Sequence, residues 1–113
     1  MDKEQKIPLE KVIVGQIMTW LKDAGYKFIY KTHGSAYQVA GLPDIVVIDK
    51  NGRFVGLECK RPAVGRLTML QASVLNKIAD SGGYAAVVTG VEETKAALEA
   101  SEAGTVVSRR FSA

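Results

Sequence analysis

Two short apolar runs on either side of a tight-turn signal constrain this chain more than any other feature. Ile45-Val46-Val47-Ile48 is continuous and apolar, the pattern of a strand covered on both faces. It is followed by Asp49-Lys50-Asn51-Gly52 and then by a second strand pattern over residues 53–60. Both runs carry charged groups at the end away from the turn. Gly41-Leu42-Pro43-Asp44 leads into the first, and Leu57-Glu58-Cys59-Lys60 closes the second.

The length of the turn decides where those charges go. A two-residue Asn51-Gly52 turn sets Asp44 opposite Cys59 and sends the two carboxylates to opposite faces of the sheet. A three-residue loop, Lys50-Asn51-Gly52 with Gly52 left-handed, sets Asp44 opposite Glu58, with Lys60 about 7 Å along the same face. The chemistry of an acid-acid-lysine set predicts the three-residue loop.

Around this hairpin the remaining elements follow. Pro8 suits the first turn of a helix, and Leu9, Val12, Ile13, Ile17, Trp20 and Leu21 recur behind it at three- and four-residue spacing, up to a stop at Gly25. Residues 26–31 read as a strand, and 32–42 as a polar loop or the rim of a site. Thr68-Met69-Leu70-Gln71 has the form of a capping box opening a second helix, which runs to about Asp80 and ends at Ser81-Gly82-Gly83. Residues 84–89 form the next strand, free to lie parallel to its neighbour because a helix intervenes. A third helix covers 91–100 and a short final strand 105–108. The fold class is α/β: helix, three strands, helix, strand, with a mixed central sheet flanked by helices.

With 113 residues, the chain has room for one domain and one core. We place that core at about 8–90, followed by a C-terminal helix and tail over 91–113. An apolar fraction of 47% with 24% charged residues is that of a folded chain. No apolar run approaches the roughly 20 residues of a membrane span, and no signal segment follows the amino terminus, so a cytoplasmic protein is expected. A single cysteine excludes an internal disulfide and a cysteine-based zinc site. The net charge of +3 is mild. Setting Glu10, Asp44 and Glu58 aside as ligands enlarges the basic surplus on the remaining surface, which suits a polyanionic partner.

Asp44 and Glu58 offer hard oxygen ligands for Mg²⁺, and the backbone carbonyl of Cys59 adds a third. Such a cation activates water and offsets charge on a scissile phosphate, while Lys60 orients the nucleophile or stabilises the transition state. The ordinary alternatives are a turn aspartate and a solvent-facing Glu58–Lys60 ion pair, the latter worth little energetically. The Cys59 side chain is expected to point away from the site. His33 reads as a loop residue or phosphate contact, since carboxylate-rich Mg²⁺ sites seldom recruit imidazole.

Pro43-Asp44 followed by Glu58-Cys59-Lys60 resembles the signature of the PD-(D/E)XK nucleases. The context Gly34 to Asp44, then Arg61-Pro62, Gln71 and Gly82-Gly83, is similar to the stand-alone VRR-NUC branch of phages and bacteria. The resemblance implies a restriction-endonuclease-like core, Mg²⁺ or Mn²⁺ dependence, and DNA cleavage. It makes Asp44 and Glu58 metal ligands, Cys59 a ligand through its carbonyl, and Lys60 the catalytic lysine. Glu10 matches an acidic residue near the metal, against the alternative of a first-turn glutamate favoured by the helix dipole. Gln71 matches a helix glutamine beside the active site, against a purely capping role. Lys31, Ser35, Tyr37, Arg61 and Arg66 are the candidate nucleic-acid contacts.

One small core offers limited surface for gripping a duplex, so a homodimer presenting two sites to branched DNA such as a four-way junction is expected. The alternatives are a non-catalytic DNA-binding module, a plain α/β domain with structural acids, and an exonuclease or flap nuclease.

Overall fold

In the computed structural model, which describes residues 7–32 and 39–113, three helices enclose an open four-stranded sheet. The order along the chain is α1 (Glu10–Asp23), β1 (Ile29–Lys31), β2 (Ile45–Ile48), β3 (Phe54–Cys59), α2 (Met69–Asp80), β4 (Tyr84–Val88) and α3 (Val91–Glu102). The strands lie in sequence order, antiparallel from β1 to β3, with β4 parallel to β3. This is a mixed sheet, and the α2 crossover is what allows the parallel pair.

The β2–β3 hairpin closes through the three-residue loop. Ile48 pairs with Phe54 and Ile45 with Leu57, Asp49 N–H donates to the Arg53 carbonyl at 2.8 Å, and Gly52 takes a φ of +89°. The same register continued outward sets Asp44 opposite Glu58.

The two faces of the sheet are covered unequally. Ile45, Val47, Val55, Leu57, Cys59 and Val88 face α1 and α3, and with Ile13, Ile17, Leu21 and Leu98 they form the main core. On the other face α2 packs over β3 and β4. Gly56 sits beneath it, where a Cβ would meet Ile78 Cδ1 and Pro43 Cγ, each at 2.9 Å. The absence of a side chain there lets α2 and the Pro43 turn close on the sheet together.

Two expected strands differ. The strand foreseen over 26–31 is only Ile29–Lys31, because Tyr26 N–H donates to the Leu21 carbonyl and Gly25 N–H to the Lys22 carbonyl. Tyr26 thus belongs to the termination of α1. The strand foreseen over 105–108 does not form. α3 continues to Glu102, and the Thr105 carbonyl is captured by the Arg53 guanidinium at 2.8 Å. Beyond it, Asn76 on α2 exchanges two hydrogen bonds with the backbone of Phe111.

Among the described residues, no helix is long and apolar enough to cross a membrane.

Candidate active site

The site lies where β2 begins and β3 ends. Thr32, at the end of β1, fixes the approach to β2: its hydroxyl donates to the Pro43 carbonyl at 2.6 Å and its N–H to the Asp44 carbonyl at 2.9 Å. Thr32 is a supporting residue that the sequence did not single out, although its alternation with Phe28 and Tyr30 marks it as facing the same side. Asp44 is buried, and its Oδ2 accepts from the Cys59 N–H at 2.8 Å. That bond crosses from the first residue before β2 to the last of β3 and locks the carboxylate against the strand. A strand residue directs its N–H and C=O to the same edge, so the Cys59 carbonyl points to the Asp44 side.

Glu58 is 1% exposed, which rules out the solvent-facing ion pair. Its Oε2 accepts from Gln71 Nε2 at 3.1 Å and lies 3.5 Å from Lys60 Nζ. Its Oε1 is buried with no hydrogen-bond partner among the described residues. Burial pushes the Glu58 carboxyl up to about 8, reinforced by the charge and hydrogen-bonding contact of Asp44 and opposed by Lys60. A second acceptor beside a buried acceptor satisfies neither while both are ionised. A proton or a cation between them would resolve the conflict.

Gln71 serves both the cap and the site. Its Oε1 accepts from the Thr68 N–H at 2.9 Å and completes the capping box, while its Nε2 donates to Glu58. The two ends of one amide serve different partners, and the acceptor end is fixed on the backbone N–H.

The other expected residues are less closely gathered. Cys59 directs its thiol into the α1 core, and burial, then the charges of Asp44, Glu58 and Glu10, push that thiol up. Glu10 is the first residue of α1. It therefore reaches this end of the sheet from the Cys59 face, opposite α2 and Gln71. Among the described residues no three Asp, Glu, His or Cys side chains form a metal-holding group; a cation here would rely on Asp44, Glu58 and backbone oxygen.

Arg61, expected to contact phosphate, donates from Nε to the Pro8 carbonyl and from Nη2 to the Ile7 carbonyl, at 3.1 and 3.3 Å. It ties the approach to α1 to the end of β3, because those carbonyls precede the helix and lack partners within it. Arg66 is exposed and bonds the adjacent Gly65 carbonyl. Lys31 is exposed at the end of edge strand β1, paired with Ile45. Ser35, Tyr37 and His33 lie outside the described residues.

Comparison with protein-family models, with curated proteins and with solved structures gives no match.

Proposed function

We propose that this chain is a metal-dependent DNA endonuclease of the PD-(D/E)XK type. The observation that carries the reading is the buried, unpartnered Oε1 of Glu58 beside the Asp44 carboxylate, with Lys60 Nζ 3.5 Å from the other oxygen. A native interior seldom leaves a carboxylate oxygen without a partner. The donor set here, oxygen only, suits Mg²⁺ or Mn²⁺. The order helix, three strands, helix, strand agrees with the restriction-endonuclease-like core that the resemblance implies.

Asp44, Glu58 and the Cys59 carbonyl would hold the cation, with Glu10 contributing from the α1 side. When bound, it would supply Lewis-acid stabilisation of the phosphate and a more acidic water. The protein's own parts do the rest. The Cys59 N–H holds Asp44 in one rotamer, and Gln71 and Lys60 hold one oxygen of Glu58, leaving the other buried without a protein donor among the described residues. Lys60 holds its ammonium beside the acids, where it orients water or a phosphate oxygen. The expected assembly is a homodimer acting on branched DNA.

Cleavage of a labelled four-way junction, linear duplex and single strand, with Mg²⁺, Mn²⁺ or EDTA, tests the reading. Paired nicks at the junction that need metal and vanish in Glu58→Gln are expected. Junction binding with every strand left intact would instead indicate a DNA-binding module.

A further inference from the structure

Lys60 is followed at once by a turn that doubles the chain back against it. The stretch from Arg61 to Gly65 closes through two hydrogen bonds, Gly65 N–H to the Arg61 carbonyl at 3.0 Å and Val64 N–H to the Pro62 carbonyl at 2.8 Å. The second bond spans Ala63, whose φ of +65° is the only left-handed non-glycine value among the described residues. An i to i+2 bond about a positive φ is the rarer and more strained form of the γ-turn. A non-glycine residue persists there only where the surrounding contacts hold it.

Gly65 has the opposite character. Its φ lies outside the left-handed region, so space rather than backbone conformation demands a glycine. A Cβ there would stand 2.7 Å from Lys60 Cβ and 3.0 Å from both the N and the O of Arg61. Carbon atoms in contact settle at about 3.5–4.0 Å. The crowded atoms are backbone and the root of a side chain, which cannot swing aside as a side-chain tip can. The base of the turn is fixed on both flanks: Lys60 N–H donates to the Val88 carbonyl at 2.9 Å, and Arg61 is tied to the Pro8 and Ile7 carbonyls.

We propose that Gly65 is a positioning residue for Lys60: its bare Cα, turned back onto the root of the lysine, holds the ammonium against the acid row of Asp44 and Glu58. The proposal rests on the nuclease reading only for what the ammonium does there. A lysine ammonium rides on a flexible four-carbon stem, and holding it in one place costs side-chain freedom. Confined at its root between β4 and Gly65, the Lys60 side chain is 12% exposed and reaches Glu58 Oε2 at 3.5 Å. Ala63 supplies the reversal that brings stem and glycine together.

The test is the rate at which an amine-acylating reagent labels Lys60, read by mass spectrometry against exposed Lys22, in wild type, Gly65→Ala and Val64→Ala without metal. Buried Cys59, the residue before the lysine, is probed with a thiol reagent in the same samples. Slow labelling of Lys60 is expected in wild type and in Val64→Ala, whose valine is 51% exposed. Labelling several times faster is expected in Gly65→Ala, with Cys59 unreactive in all three. Wild-type Lys60 labelled as fast as Lys22 would overturn the proposal without any variant. So would a Gly65→Ala protein that protects Lys60 as wild type does. A Gly65→Ala protein that fails to fold, or in which Cys59 reacts as well, would also overturn it, because the glycine would then serve the end of β3 and not the lysine. In the junction assay Gly65→Ala is expected to cleave about tenfold more slowly or worse, since a small misplacement of a group at the reaction costs at least that much. Lys60 released by the added methyl in a protein whose wild type cleaves nothing would sink only the nuclease reading. Lys60 still protected in Gly65→Ala, beside metal-dependent cleavage by wild type, would sink only this one.

Discussion

Glu58 makes the metal-free protein sensitive to pH in a direction that can be worked out. Its carboxyl is raised from 4.5 to about 8 in the folded chain, so its contribution to stability is fully present below the ordinary value and is lost as pH rises through about 8. We expect wild-type melting temperature in EDTA to fall between pH 6 and 9, and Glu58→Gln to flatten that fall. Mg²⁺ at a hundredfold excess over its Kd would add about 2.7 kcal/mol, roughly 10 °C for a chain of this size. Glu58→Gln should lose most of that gain; an equal gain in the variant would place the cation elsewhere. Gln71 can be dissected in the same way. Thr68→Ala removes the cap alone and should cost about 1 kcal/mol. Gln71→Ala also removes a donor to the charged form of Glu58, which raises that carboxyl further and moves the fall in stability to higher pH. Melting curves of both variants across that pH range separate the two roles.

At the scale of elements, what was legible in the sequence was what local chemistry dictates. Asn51-Gly52 marked the turn but allowed two loop lengths, and the need for Asp44 and Glu58 to share a face chose the three-residue one. Thr68 and Gln71 set the start of α2, and Gly82 its end. Tertiary competition decided the rest. Thr-Val-Val at 105–107 has strand character, but α3 runs two residues further than its pattern suggests and Arg53 takes the Thr105 carbonyl. Gln71 read as either a cap or a site residue because only the packing of α2 on β3 brings Glu58 within reach of the amide's other end. Arg61 read as a phosphate contact because nothing local shows that the carbonyls of Ile7 and Pro8 lie beside it. Deleting Asn51 tests the register argument. The shortened loop leaves Lys50-Gly52 between Asp49 and Arg53, so Asp44 stays opposite Glu58, and we expect metal-induced stabilisation to survive with a stability cost confined to the turn. A variant that no longer responds to Mg²⁺ would show that the strands had slipped and the two acids had parted.

Across the whole molecule, the end of the sheet opposite the site is a tied junction. Arg53 donates to the carbonyls of Gly82, Gly83, Ser101 and Thr105. Asp49, beside it in the hairpin, accepts from Ser101 Oγ at 2.6 Å and from the Asn51 and Arg53 amides. Burial pushes the Asp49 carboxyl up, but these hydrogen bonds outweigh it and hold the group below its ordinary 3.8. Its contribution is therefore present above 3.8 and is lost as pH falls through the lower folded value. Asp49→Asn should flatten the acid limb of a stability profile measured from pH 5 to 2 and leave the alkaline limb set by Glu58 unchanged.

The hairpin thus carries carboxylates of opposite temperament at its two ends, Glu58 beside Asp44 at one and Asp49 at the other, five residues along the strand and about 17 Å apart. The fastening at the turn is built mostly from backbone carbonyls, which do not depend on which side chains fill the other end. Such a scaffold can exchange its chemistry while keeping its shape: the acid row can be rewritten, or emptied, without untying the knot that holds α2 and α3 to the sheet.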